Sequence, residues 1–280
     1  MDKQEIALLG GRGMLGTTLT AAFRRQGFKV CVHDLPEFDL GNLEDLRHAV
    51  EAADAVVNCA AYTDVDGAES NAQIAHRVNA EAVGNLGRIA RECGKWVLHF
   101  STDFVFDGRL NRPYVETDTP NPLSEYGRSK LAGERLLQDS GCRCCILRLE
   151  WTYGPNGNHF VTKLLRRARA GGPVSVVDDQ VGAPTSTSDV AKAVLTMVNK
   201  RVTGLYHFAN AGYASRYDVA EFVFERLSQP VVLKRCRTAD FPAPAVRPLN
   251  SRFDCRKIQA LLEEPIAPWQ ESLEQYLRQL

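Results

Sequence analysis

The segment SEYGRSKLAGE, residues 124–134, sets Tyr126 and Lys130 four positions apart. Positions i and i+4 of a helix share a face, so a phenol and an ammonium would project together. A positive charge beside a phenol lowers its pKa and equips it to give a proton to a carbonyl oxygen. Taken alone, the same pair also fits a solvent-facing helix surface. Upstream, FSTDFVF puts Ser101 and Thr102 at the end of an apolar run, where a hydroxyl can bond the same oxygen. A second constellation opens the chain: GGRGMLG spaces Gly10, Gly13 and Gly16 between an apolar run and an amphipathic one. Glycine suits a backbone that turns sharply, approaches a pyrophosphate and packs a helix tightly on a sheet. The helix start then offers unpaired N–H groups and a positive dipole end to the phosphates. Together the two constellations imply hydride transfer from a nicotinamide dinucleotide to a carbonyl.

Elements must hold these residues in place. IALLG (6–10) predicts a first strand, MLGTTLTAAFRRQG (14–27) a helix stopped by Gly27, and KVCVHD (29–34) a second strand. NLEDLRHAVEAA (42–53) reads as a helix, AVVNCAA (55–61) as a third strand, and a long helix from about Ala72 to Cys93 precedes the strand KWVLHFST (95–102). Pro120 and Pro122 break the chain before Ser124 caps the helix of Tyr126, and RCCILRL (143–149) is a fifth strand. This alternation predicts an α/β fold with a doubly wound, parallel, Rossmann-type sheet. Beyond Trp151 the pattern loosens. VSVVDDQ, GLYHFAN and PVVLKRC read as short strands, with helices near 187–199 and 215–228 and prolines gathered from Pro242 to Pro268. Residues 1–150 are expected to form the dinucleotide-binding domain and 151–280 mainly a smaller, mixed substrate lobe, with a soft boundary across which segments interleave.

Composition narrows the partners. Thirty-four basic residues balance thirty-four acidic ones along 280 residues, which argues against nucleic acid or a membrane surface. No apolar run approaches the roughly 20 residues that span a bilayer. MDKQEIALLGG leads into a strand without the charged and apolar regions of a secretory signal. Of the eight cysteines, none has metal-ligand spacing with histidines, so free thiols in a reducing cytoplasm and no metal are expected.

Cofactor preference reads both ways. Asp34 ends the second strand 18 residues past Gly16, where a carboxylate binds a ribose hydroxyl and favours NADH. Arg12 can instead pair with a 2′-phosphate, so the expectation is NADPH or NADH.

In order, GxxGxxG, a strand-end hydroxyl and YxxxK resemble the short-chain dehydrogenase/reductase superfamily in its extended branch. Five longer strings, NCAAYTDVDGAE (58–69), FSTDFVFDG (100–108), YGRSKLAGE (126–134), DDQVGAPT (178–185) and RPLNSRFD (247–254), resemble one family within it, dTDP-4-dehydrorhamnose reductase. The resemblance implies that NAD(P)H reduces the 4-keto group of a dTDP-linked deoxysugar, dTDP-4-dehydro-L-rhamnose, to dTDP-L-rhamnose. It maps a catalytic set onto Thr102, Tyr126 and Lys130, with Asp103 beside them and Asn79 in support. To the cofactor it assigns Gly10, Arg12, Gly13 and Gly16 of the loop, with Met14 and Leu15 behind them. Asp34, Asp39 and Leu40, then Ala60, Ala61 and Tyr62, and finally Tyr126 and Lys130 complete that set. Substrate contacts fall on Val65, Asp66, Thr102, Asp103, Trp151, Gln180, Arg247 and Asn250.

Residue logic gives the last group partial support. Trp151 offers an aromatic face to a sugar or base, though a core or lobe-junction tryptophan would look the same. Arg247 and Arg252 can pair with a diphosphate. In one place the chain departs from the family, which usually has a small polar residue before its site tryptophan. Here RLEWTYG has Glu150, and a carboxylate beside the pocket would disfavour phosphate and alter the sugar accepted. Two other functions share the cofactor features: a different nucleotide-sugar reductase or epimerase, and a non-catalytic regulatory subunit similar to the methionine adenosyltransferase β subunit. A homodimer is left open.

Overall fold

The computed structural model describes residues 4–280, so the expected lead from residues 1–3 into the first strand lies outside it. The chain begins β1 (Glu5–Leu9), α1 (Met14–Arg25), β2 (Lys29–His33), α2 (Leu43–Ala52) and β3 (Ala55–Asn58). A helical run α3 follows, made of Ala72–His76, a π-helical turn Arg77–Glu81 and Ala82–Glu92. Then come β4 (Trp96–Thr102), α4 (Glu125–Asp139), β5 (Arg143–Leu149), α5 (Thr187–Lys200) and β6 (Gly204–Phe208).

The six strands lie in the order β6-β5-β4-β3-β1-β2, and every pair is parallel. The fold is therefore the doubly wound Rossmann-type α/β sheet expected from the alternation. Its central strands are apolar without a break because helices cover both faces. Leu8, Leu98 and Leu147 face one core with Leu19 and Phe23 of α1, while Ala7, Val56, Val97 and Ile146 face the other with Leu46 and Leu86. Strand order reverses between β1 and β3. The crevice at their carboxyl ends is the switch point where sheets of this kind take ligands.

GLYHFAN, expected in the C-terminal lobe, is instead the sixth strand of the main sheet, with Gly204–Phe208 registered on Cys145–Leu149. The preceding helix α5 returns with it and buries Val190, Val194, Met197 and Val198 in the core under α1. The lobe itself has a separate core that includes Tyr153, Leu164, Val176, Phe224, Trp269 and Leu273. No helix among the described residues is long and apolar enough to cross a membrane.

The predicted long helix is interrupted by its π turn, and that turn holds Asn79 buried against α4. Asn79 accepts the Tyr62 N–H at 2.8 Å and donates to the Tyr62 carbonyl and to Ser129 Oγ, each at 3.0 Å. Gly133 of α4 lies against the Asn79 carbonyl, and a Cβ there would collide with that oxygen. Gly133→Ala is therefore expected to destabilise the protein by about 1–3 kcal/mol through overpacking. An unchanged melting temperature would mean that α3 and α4 are not held at this spacing.

Candidate active site

The glycine loop follows β1 at the carboxyl end of the sheet, on the crevice. Gly10 has φ +73°, and a Cβ on it would lie 2.5 Å from the Ala60 nitrogen. A Cβ on Gly16 would strike the Gly10 carbonyl. Both glycines are thus required by the fold. Gly13 is different: it has ordinary dihedrals, φ −70° and ψ 171°, and its Cβ would meet nothing nearer than the Gly10 oxygen at 3.4 Å. It is the N-cap of α1 and offers no side chain to the helix start. The missing cap leaves roughly a few tenths of a kcal/mol unrealised. Burying Leu19 and Phe23, at roughly 1.5–3 kcal/mol each, more than offsets it. Bare N–H groups at a helix start, open space above Gly13 and the switch-point location together fit a dinucleotide pyrophosphate.

At the end of β2 the two competing cofactor signals meet. Asp34 accepts the Arg12 backbone N–H at 2.7 Å, while the Arg12 guanidinium turns to Glu37 at 2.6 Å and the Leu35 carbonyl at 2.8 Å. Arg12 is therefore already paired with a carboxylate. Asp39 accepts the Gly41 N–H at 2.8 Å, and Leu40 is buried in the core beneath. Past β3, Asn58 Oδ1 accepts the Ala60 N–H at 3.0 Å and shapes the turn that carries Ala60, Ala61 and Tyr62 beside the loop.

Ser124 caps α4 by accepting the Gly127 N–H at 3.1 Å. The helix sets Tyr126 and Lys130 inward, with the Tyr126 ring edge-on to Phe104 at 5.6 Å. Lys130 Nζ donates to the Phe100 carbonyl at 2.8 Å and lies 3.3 Å from His99 Nε2. Thr102 ends β4 and donates to Asp103 Oδ1 at 3.0 Å, and Ser251 donates to Asp103 Oδ2 at 2.5 Å. Burial pulls Lys130 down to about 8. It pushes Tyr126 up to about 12, partly countered by the Thr102 hydroxyl and aided by the Asp103 charge. The expected lowering of the phenol by Lys130 is thus not what this structure contains, because the ammonium is turned to Phe100 and desolvation dominates.

On the lobe side, Arg247 grips Asp66 with two bonds of 2.9 and 2.7 Å, so a cation expected to be free for a diphosphate is paired with another expected substrate residue. Val65 is half-buried next to that pair. Asn250 donates to the Leu110 and Arg112 carbonyls at 2.7 and 2.9 Å and accepts from Arg252. Gln180 donates to Thr238 at 3.1 Å. These two amides hold loops together in the free protein. Glu150, expected to repel phosphate, is fully buried and turned onto the Ala183 and Phe253 N–H groups at 2.9 and 3.2 Å. Burial, then the Asp103 charge, push it well above the usual carboxylate range.

Two residues near the site were not foreseen. His99 was detectable as a lone polar residue inside the apolar strand KWVLHFST. Arg216, which stacks on Trp151, comes from the lobe with no local signal.

The profile of the RmlD substrate binding domain matches residues 4–280. A dTDP-4-dehydrorhamnose reductase of Mycobacterium tuberculosis is 37% identical over 277 residues, 96% of this chain and 91% of that protein. The crystal structure of a dTDP-4-dehydrorhamnose reductase from Clostridium acetobutylicum superposes with a TM-score of 0.94 at 33% identity, covering 99% of each chain. That of a Bacillus anthracis dTDP-4-dehydrorhamnose reductase in complex with NADP gives 0.95 at 29% identity over 100% of each. The chain belongs to the dTDP-4-dehydrorhamnose reductase family, and it is an oxidoreductase of the NAD(P)H-dependent kind.

Gly13→Val should leave the melting temperature close to wild type, because the fold has room for the side chain. NADPH binding, followed by fluorescence titration, should be lost; retained tight binding would remove the loop from the cofactor site.

Proposed function

We propose that this protein reduces the C4 carbonyl of dTDP-4-dehydro-L-rhamnose to give dTDP-L-rhamnose. The observation that carries the reading is the meeting of Thr102, Tyr126 and Lys130 at the carboxyl end of β4, beside the crevice of the glycine loop. NADPH or NADH, when bound, supplies the hydride. Tyr126 stays protonated in its buried setting and gives its proton to the carbonyl oxygen. Thr102 holds that oxygen, with its own hydroxyl oriented by Asp103. Lys130, one turn along the same helix face, has donors beyond the one engaged by Phe100 to offer a cofactor hydroxyl. Gly13 and the start of α1 hold the pyrophosphate. The eight thiols, all free, suit a reducing cytoplasm, where we place the reaction.

The test is absorbance of NADPH or NADH with dTDP-4-keto-6-deoxy sugars. Stoichiometric consumption is expected, whereas an epimerase would interconvert sugars without net loss of reduced cofactor. Tyr126→Phe should bind cofactor normally and lose about 10²- to 10⁴-fold in turnover. Turnover within a few fold of wild type would take the acid role away from Tyr126.

For cofactor choice we propose a preference for NADH, set by Asp34 and Glu37 together. Both carboxylates sit around Arg12, which Glu37 already neutralises. Glu37→Gln should shift the NADPH to NADH ratio of kcat/KM upward by roughly three- to tenfold, as expected for one exposed charge removed near a phosphate. An unchanged ratio would show that Glu37 does not act at the 2′ position.

A further inference from the structure

Beside the Thr102–Asp103 pair lies an arginine that the reaction above does not use, in a cluster of titratable groups. Glu150 ends the β5 segment and Asp103 follows β4, both fully or nearly fully buried. The third member is Arg216, the first residue of the helix Arg216–Arg226. Its guanidinium carbon lies 3.4 Å from the centre of the Trp151 ring and 4.9 Å from that of Phe160. Burial pulls the guanidinium down, Asp103 and Glu150 raise it, and Arg247 opposes them. With so high an ordinary value it remains charged. Yet its side chain has no hydrogen-bond or ion-pair partner among the described residues, in contrast to Lys130, Arg148 and Arg247, which are all bonded.

The backbone beneath it is strained. Trp151 has φ 44°, a left-handed conformation that costs a bulky residue on the order of 1–3 kcal/mol. The two bonds of Glu150 and the Thr185 N–H on the Trp151 carbonyl, at 3.2 Å, hold the ring in this pose. Gly182 is bare because a Cβ would lie 2.6 Å from Glu150 Oε2 and 2.8 Å from the Trp151 ring. The chain therefore maintains strain and close approach in order to set an indole under an unpaired guanidinium.

We propose that Arg216, laid flat on Trp151, is a substrate-binding residue that donates hydrogen bonds to oxygens of the hexose. The inference rests on the nucleotide-sugar reading of the site and names the group that reads its sugar. A stacked guanidinium keeps its N–H donors in the ring-parallel plane, and a partly enclosed donor without a partner is costly until a ligand supplies acceptors. Two features assign those acceptors to the hexose rather than to the diphosphate. Asp103 adjoins Thr102, so the cluster stands at the reacting end. The carboxyl groups of Asp103 and Glu150 both act on the single cation, which leaves little surplus positive field for a dianion. A neutral sugar with keto and hydroxyl oxygens matches that balance. Glu150, the departure from the family pattern, is then the buffer that allows a cation at this position.

The experiment uses the full chain loaded with NADPH. Calorimetric titration compares dTDP-L-rhamnose with dTDP, and the corresponding UDP-hexose with UDP, on wild type, Arg216→Met and Arg216→Lys. Arg216→Met keeps the stem and removes the fork. It is expected to weaken dTDP-L-rhamnose roughly tenfold or more, the size of one charge-assisted hydrogen bond, and dTDP less than about twofold. The KM for the keto sugar should rise in parallel. Equal losses for dTDP and dTDP-L-rhamnose would give Arg216 to the diphosphate and overturn the proposal, as would unchanged affinity for both. Arg216→Lys should also lose hexose affinity; full wild-type binding there would reduce the role to charge alone and equally overturn it. Should Arg216→Met fail to bind NADPH, the Lys variant decides by the same ratio. Wild-type preference for the UDP pair would overturn the dTDP reading instead, and the Arg216 ratio would then be read on UDP-hexose against UDP. Wild type that binds no nucleotide hexose would overturn both.

Discussion

The bond from the Lys130 ammonium to the Phe100 carbonyl, 2.8 Å long, ties α4 to the middle of β4 inside the protein. A buried ammonium is tolerated only where it is bonded, so the helix has one favourable seat on the sheet, the one in which Lys130 reaches Phe100 and His99. Tyr126 lies one turn back on the same face, and seating one residue seats the other. One turn further on, Glu134 takes two bonds of 2.8 and 2.6 Å from Arg148 on β5. Removing either partner of such a pair leaves an uncompensated charge and costs about 3–5 kcal/mol, more than a few misplaced methyl groups. The helix that presents the phenol is thus registered on two adjacent strands by charge, with apolar packing filling in around it.

Glycines let that seat be close. A Cβ on Gly127 would run into the Phe104 carbonyl, and one on Gly133 into that of Asn79. The glycine loop combines two different demands under one spacing. Gly10 and Gly16 are small because neighbouring backbone is already there, while Gly13 is small although nothing in the chain crowds it. The room above the third fits an outside molecule, and the first two glycines alone would not make the loop read as a binding feature.

Legibility in the sequence followed the range of each interaction. The parallel sheet was readable because each central strand is buried on both faces and so stands out as a continuous apolar run. The Tyr126–Lys130 pair was readable because helical spacing is local. Strand β6 was misplaced because GLYHF carries no mark of which sheet it joins; the return of α5 under α1 decides that, and it is a tertiary fact. Arg247 and Asp66 were each noticed, but their pairing joins segments far apart in the chain. Glu150 was visible as a departure, yet its burial and its partners were not. A carboxylate in a sequence reads as exposed, whereas this one is fully buried and bonded to the Ala183 and Phe253 N–H groups. Arg216 carried no signal at all until Trp151 was seen beneath it.

Desolvation acts on the two groups at the centre in opposite numerical senses and to one end, favouring the neutral form of each. For a general base that would be a handicap, since a phenol pushed up to about 12 gives little phenolate at neutral pH. For a donor it is not. When the carbonyl carbon accepts hydride, the π pair moves to its oxygen, and that alkoxide, a stronger base than any phenolate, takes the proton downhill even from a phenol of raised pKa. Asp103 supports that sense by disfavouring negative charge on Tyr126 while its own oxygens orient Thr102 and Ser251. The site in its free form is electrostatically arranged to deliver a proton, and carbonyl reduction is the direction that uses one.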